Sequence, residues 1–150
     1  MNDCKILIAT ADDVAAIARF QVNMAMESEG LSLDYERVFG GVAAVLDDES
    51  KGQYIIARVC GELVGCLMVT REWSDWNCGW YWWIQSVYVL PAFRLQGIYK
   101  EMYKRAVELA KVNGVLQIRL YVDKENSAAQ RVYKKLGMDE CHYLMYEKEL

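Results

Sequence analysis

A single histidine, a single proline and no paired cysteines in 150 residues close several routes before any motif is read. His142 stands alone, and Cys4, Cys60, Cys66, Cys78 and Cys141 form no CxxC pair, so the ligand spacing of a structural zinc site is missing. An odd set of cysteines without a framework also speaks against a disulfide scaffold, and a reducing cytoplasm is the expected compartment. Basic charge is in deficit, with 17 Lys and Arg against 21 Asp and Glu, a net charge of -4 and a pI of about 5.1. No basic run offers nucleic acid an electrostatic footprint. The N-terminus MNDCKILIATADD lacks the basic flank and apolar core of a signal peptide, and the most apolar stretch, around residues 80 to 92, is too short and too polar to cross a bilayer. Metal, nucleic acid and membrane are therefore not expected partners.

What is present is the composition of a soluble globular chain, 54% hydrophobic and 25% charged, sized for one domain over residues 1–150. KILIA at 5–9 reads as a strand, and Thr10 with Asp13 caps a helix whose apolar face is Val14, Ile17, Ala18 and Val22. A second helix is expected near 34–46, closed by DDESKG. QYIIARV at 53–59 and LVGCLMVT at 63–70 flank a glycine-containing turn and predict a hairpin. REWSDWNCGW at 71–80 reads as a polar loop, YWWIQSVYV as a central strand, and KEMYKRAVELAKV as the core of a long amphipathic helix. VLQIRLYV at 115–122, a short helix after Asn126 and CHYLMYEK at 141–148 predict strand, helix and strand. The order β-α-α-β-β-β-α-β-α-β describes one mixed α/β layer structure without linker or repeat.

RLQGIY at 94–99 joins the central strand to the long helix. A helix start leaves its first amides without intrahelical partners, so the backbone from Leu95 through Gln96, Gly97, Ile98 and Tyr99 outlines a cradle for a pyrophosphate. Arg94 adds a charge-assisted contact, and Gly97 removes a side chain from the path of the phosphate. The segment has neither the GK[ST] of a Walker loop nor GxGxxG spacing, which favours a nucleotide used as an acyl carrier over phosphoryl or hydride transfer. The alternative is a plain turn.

The run VYVLPAFRLQGIYKEMY resembles the acetyl-coenzyme A segment of the GCN5-related N-acetyltransferase (GNAT) superfamily, through Val89, Pro91, Arg94 and Gly97, with Tyr99 in a position usually held by a small residue. LYVDKENSAAQRVYKKLGM is similar to the same family's later strand, loop and helix, through Asp123, Asn126, Ala129, Tyr133, Gly137 and Met138. The resemblance implies a GNAT-like fold: a mixed, mostly antiparallel central sheet with helices on both faces and splayed central strands. It implies acetyl-CoA as cosubstrate, with no metal, and a pantetheine arm held by backbone near Val87 and Val89. Asn126 and Tyr133 would complete the coenzyme contacts.

The resemblance also implies roles. The Val89 amide would stabilise the tetrahedral oxyanion and Tyr133 would protonate or hydrogen-bond the coenzyme sulfur. Many relatives place a glutamate in the central strand to draw off the amine proton through water, whereas Trp83-Ile84-Gln85-Ser86-Val87 carries no carboxylate. Gln85 can orient a water. Glu72 and Asp75, in the tryptophan-rich stretch, are the nearest acids able to attract a cationic amine or accept its proton. Trp73 and Trp76 fit either the wall of an acceptor pocket or the interface of a homodimer.

The expected function is acetyl transfer from acetyl-CoA to the primary amine of a small molecule, by direct attack in a ternary complex. A peptide or protein amine, and a non-catalytic acyl-CoA sensor, are the alternatives.

Overall fold

The computed structural model describes residues 3–150. Packing divides the described residues into two units, the first ending at Leu120 and the second spanning Tyr121–Leu150. In the first unit, β1 (Cys4–Ile8) leads through a short 3-10 turn to α1 (Val14–Glu29) and α2 (Tyr35–Asp47). Then come β2 (Gln53–Val59), β3 (Glu62–Ser74), β4 (Gly79–Val89), α3 (Ile98–Val112) and β5 (Gln117–Arg119). The five strands form one sheet in chain order, antiparallel except for the β4–β5 pair.

Alternation along the strands builds two cores. On β2, Ile55 and Ala57 join Val64, Leu67, Trp82 and Ile84 beneath Ile98, Met102, Ala106 and Ala110 of α3. Tyr54 and Ile56 point the other way, with Cys66, Met68 and Tyr88, toward Ile17, Ala18 and Phe20 of α1 and Val42 of α2. A strand covered on both faces has no wet side, which is why QYIIARV reads as an unbroken apolar run. Asp13 anchors the start of α1: its carboxylate accepts the Thr10 backbone N–H at 2.8 Å and pairs with Arg58 of β2.

Gly52 enters β2 with φ of 147°, and a Cβ there would lie 2.8 Å from the Val69 carbonyl oxygen. Backbone cannot yield as a flexible side chain does. Gly52→Ala is expected to lower stability by about 2 to 3 kcal/mol, read from a shifted midpoint at unchanged slope in chemical denaturation.

Three expectations need correction. The strand read over 115–122 is confined to Gln117–Arg119, the residues for which β4 supplies a ladder. Residues 71–74 and 79–80 are strand, not loop, because β3 and β4 keep pairing out to Ser74↔Gly79 and leave only 75–78 as the turn. Residues 141–148 form no strand; tyrosine, leucine and methionine supply β-propensity, but a strand exists only within a ladder, and none pairs there among the described residues.

The second unit contains α4 (Ser127–Lys135). Asn126 caps it by accepting the Ala129 backbone N–H at 3.1 Å, and the Asp123 carboxylate accepts the Glu125 N–H at 2.8 Å in the turn before it. Gly137, with φ of 89°, follows the helix, and Met138 N–H bonds the Tyr133 carbonyl at 3.0 Å.

Candidate functional site

The sheet forks between β4 and β5. Their pairing covers Tyr81↔Gln117, Trp82↔Ile118 and Trp83↔Arg119, while β4 runs on to Val89. From Ile84 onward the β5-facing edge of β4 therefore carries backbone groups outside any ladder with β5. Such an edge can bond an extended amide-bearing ligand as it would a further strand.

A bulge lies on this stretch. The β3–β4 register slips between Cys66↔Tyr88 and Met68↔Gln85, and Ser86 adopts φ of 54°. The extra residue reverses the facing of all that follows: Trp82 and Ile84 face α3, and beyond Ser86 it is Val87 and Val89 that pack on that side. The pattern was visible in the sequence as apolar positions 82 and 84 followed by 87 and 89, a broken period of two. Cys66 sits behind the bulge, where its thiol donates to the Ser86 carbonyl oxygen at 3.6 Å and accepts from Gln21 Nε2 at 3.6 Å. Burial pushes the Cys66 thiol up to about 12, so it stays protonated at neutral pH.

At the end of β4, Pro91–Phe93 makes a short turn, and Leu95 (φ 61°) and Gly97 (φ 81°) both occupy the left-handed region. Gly97 is the residue from which α3 starts, and the first bond of the helix runs from Glu101 N–H to the Gly97 carbonyl at 3.1 Å. Amides ahead of that bond point out of the positive end of the helix. A Cβ on Gly97 would meet nothing within 4 Å, so the glycine answers its backbone angle and the space before it is open. Leu95, Gln96, Gly97, Ile98 and Tyr99 are thus brought together around the open start of α3.

Arg94 turns back from this loop. Its Nε donates to the Val89 carbonyl at 2.8 Å and its Nη2 to Glu27 Oε2 at 2.7 Å, with the guanidinium 5.3 Å from the Tyr88 ring centre. Glu27 also accepts the Tyr88 hydroxyl at 2.9 Å. Its hydrogen bonds to Arg94 and then to Tyr88 hold its carboxyl below the usual glutamate range. Nothing in the sequence pairs a glutamate near the end of α1 with a loop 67 positions later.

The side chains toward the fork divide by face. Gln85 accepts the Thr70 hydroxyl at 3.2 Å, and Glu72 accepts the Trp83 indole N–H at 2.9 Å, both on the α1–α2 side of the sheet. Trp73 pairs with Trp80 in an edge-to-face contact at 5.0 Å on the opposite face. Asp75 and Trp76 lie in the turn, where Trp76 is 89% exposed. The hairpin therefore places Trp73 apart from Glu72 and Gln85. Asn126 and Tyr133 belong to the second unit, as the cap and a second-turn residue of α4, and burial raises the Tyr133 phenol above its ordinary range. Among the described residues no three His, Cys, Asp or Glu side chains gather to hold a metal, and no helix is long and apolar enough to cross a membrane.

A sheet forked beside a bulged strand, with a glycine-led helix at the end of that strand, is the architecture of coenzyme A-dependent acetyltransferases. The chain belongs to the acetyltransferase (GNAT) family, whose sequence profile matches residues 10–138. Members of this family transfer an acetyl group from acetyl-CoA to amines. A crystal structure of a possible acetyltransferase from Clostridium difficile 630 superposes with a TM-score of 0.91 at 41% identity, covering 98% of this chain and 97% of that one. The aminoalkylphosphonate N-acetyltransferase of Salmonella typhimurium is 27% identical over 143 residues, 95% of this chain and 90% of its own length. The chloroplastic GCN5-related N-acetyltransferase 6 of Arabidopsis thaliana is 42% identical over 57 residues, 38% of this chain and 20% of that protein.

Proposed function

We propose that this protein transfers the acetyl group of acetyl-CoA to the primary amine of a small molecule, by direct attack within a ternary complex. The observation that carries the reading is the continuity of two features: the β4 edge beyond Trp83, and the start of α3 at Gly97. The edge would hold the pantetheine amides and the helix start the pyrophosphate, so the thioester would lie near the bulge at Ser86. Bound there, acetyl-CoA supplies the activated acyl group.

The chain's own residues then have separable tasks. A backbone N–H of Val87 or Val89 donates to the oxygen that becomes anionic on attack. Cys66 is buried behind the bulge with its thiol bonded to the Ser86 carbonyl oxygen, which leaves it unexposed to the acetyl group. Gln85, oriented by Thr70, presents an amide to a water or to the acceptor. The family resemblance, and not a measured contact, assigns the Tyr133 phenol as proton donor to the departing sulfur. Asp75 lies in an exposed turn, where it would draw a cationic amine toward the site without needing to deprotonate it. The Salmonella relative's name makes aminoalkylphosphonates the first acceptors to try.

A second reading has an observation of its own. β4 carries no acid, and Glu72 is occupied by Trp83 and Arg119, which suits an acyl-CoA-binding module without acceptor chemistry. Calorimetric titration with acetyl-CoA, followed by thiol release in the presence of aminoalkylphosphonates, polyamines, amino acids and a lysine peptide, separates the two. Saturable binding with thiol release on one class of small amine is the expected result. Binding with no release on any class would favour the module, and absence of binding would remove both readings.

A further inference from the structure

Glu72, Trp83 and Arg119 stand on three adjacent strands at the point where the sheet divides. Trp83↔Arg119 is the last paired position between β4 and β5, so beyond it no backbone ladder between them sets the direction in which β5 leaves. Side chains hold that position. Arg119 Nη1 donates to Glu72 Oε2 at 3.3 Å, Nε donates to Gln117 Oε1 at 2.8 Å, and the guanidinium lies over the Tyr81 ring at 4.4 Å. The other Glu72 oxygen, Oε1, accepts the Trp83 indole N–H at 2.9 Å. One carboxylate on β3 thus bridges an indole on β4 and a guanidinium on β5, with a donor on each oxygen.

A pair of strands joined by three residue pairs is a short lever, and its orientation depends on whatever restrains the last pair. Both charged side chains of this link are only partly exposed, and the aromatic rings restrict the rotamers of Arg119. We propose that Glu72 and Arg119 are positioning residues: a clamp across three strands that fixes the mouth of the β4–β5 fork, and so the width open to the pantetheine arm, without touching the reacting atoms. This inference rests on the acetyl-CoA reading above. It assigns Glu72 a mechanical task where sequence alone offered it as a proton acceptor.

The test compares Glu72→Gln, Arg119→Gln and the double variant, measuring acetyl-CoA affinity by calorimetry and the amine KM and kcat at saturating coenzyme. Because the two residues act through one network, each single change is expected to weaken acetyl-CoA about fivefold and the double change about as much, with the amine KM unaltered. A kcat loss beyond about 100-fold in Glu72→Gln, with coenzyme affinity intact, would overturn the clamp and make Glu72 the proton acceptor. A rise confined to the amine KM would overturn it in favour of an acceptor contact. Should Arg119→Gln fail to fold, Arg119→Lys keeps the charge but loses the planar fork, and a smaller shift of the same kind is expected. Hydrogen exchange of the β5 amides without coenzyme tests the clamp independently of the acetyl-CoA reading. Faster exchange in Glu72→Gln is expected, and unchanged protection would overturn the clamp whether or not the parent binds acetyl-CoA.

Discussion

Gly97→Glu is expected to weaken acetyl-CoA binding by at least roughly 100-fold, about 2.8 kcal/mol, while leaving the protein folded. The backbone at 97 has φ of 81°, a region that costs an L-residue about 1 to 2 kcal/mol, yet a side chain there would meet no atom within 4 Å. The fold therefore bears a modest strain and no collision. The coenzyme bears much more, because a carboxylate would project into the space before the first amides of α3 and oppose a phosphate there. Gly97→Ala serves as the control: it shares the backbone strain without the charge, and a loss of about fivefold is expected. Calorimetry with both variants, accompanied by circular dichroism, makes the comparison. Equal affinity in parent and Gly97→Glu would mean that acetyl-CoA does not use the start of α3.

Arg58→Met is expected to lower stability by about 3 kcal/mol. Asp13 is almost wholly enclosed, its side chain 4% exposed, and Arg58 is its ion-pair partner. Removing the guanidinium strands a carboxylate among Thr10 and the packed start of α1. It also removes a bond to the Gly61 carbonyl, 3.0 Å from Arg58 Nη1, at the β2–β3 turn. For a chain of this length the melting temperature should fall by roughly 9 °C. Adding Asp13→Asn should recover part of the loss, since a neutral amide is less costly to leave without a cation than a carboxylate. A decrease under about 0.5 kcal/mol would show that Asp13 is adequately satisfied by Thr10 alone.

How much of this was legible depended on whether the signal was local. The strand at Gln53–Val59 and the amphipathic helix through KEMYKRAVELAKV follow from periodicity, and the structure has both, the helix burying Met102, Ala106 and Ala110. Gly97 was legible as a helix opener because a glycine there has a conformational reason. The continuation of β3 through Glu72 and Trp73 was not, since arginine, glutamate and serine do not favour strands until a hairpin partner supplies the ladder. Glu72 with Arg119, and Glu27 with Arg94, join residues 47 and 67 positions apart. Only the sheet register and the return of the loop toward α1 bring those groups together. The tyrosine-rich tail at 141–148 failed for the converse reason, local propensity without a partner.

Ser86 carries one more implication. Without it, Trp82, Ile84, Val87 and Val89 would fall into uninterrupted alternation, and the register with β3 would run unshifted from Gly79 to the end of the strand. The shorter sequence would encode a more regular β3–β4 pair, with the local pattern of β4 and its pairing in agreement. The chain instead keeps a residue that makes its central strand a poorer strand. That departure sits where the edge beyond the fork opens, so regularity is given up at the one place where a ligand, and not a neighbouring strand, is expected to complete the sheet.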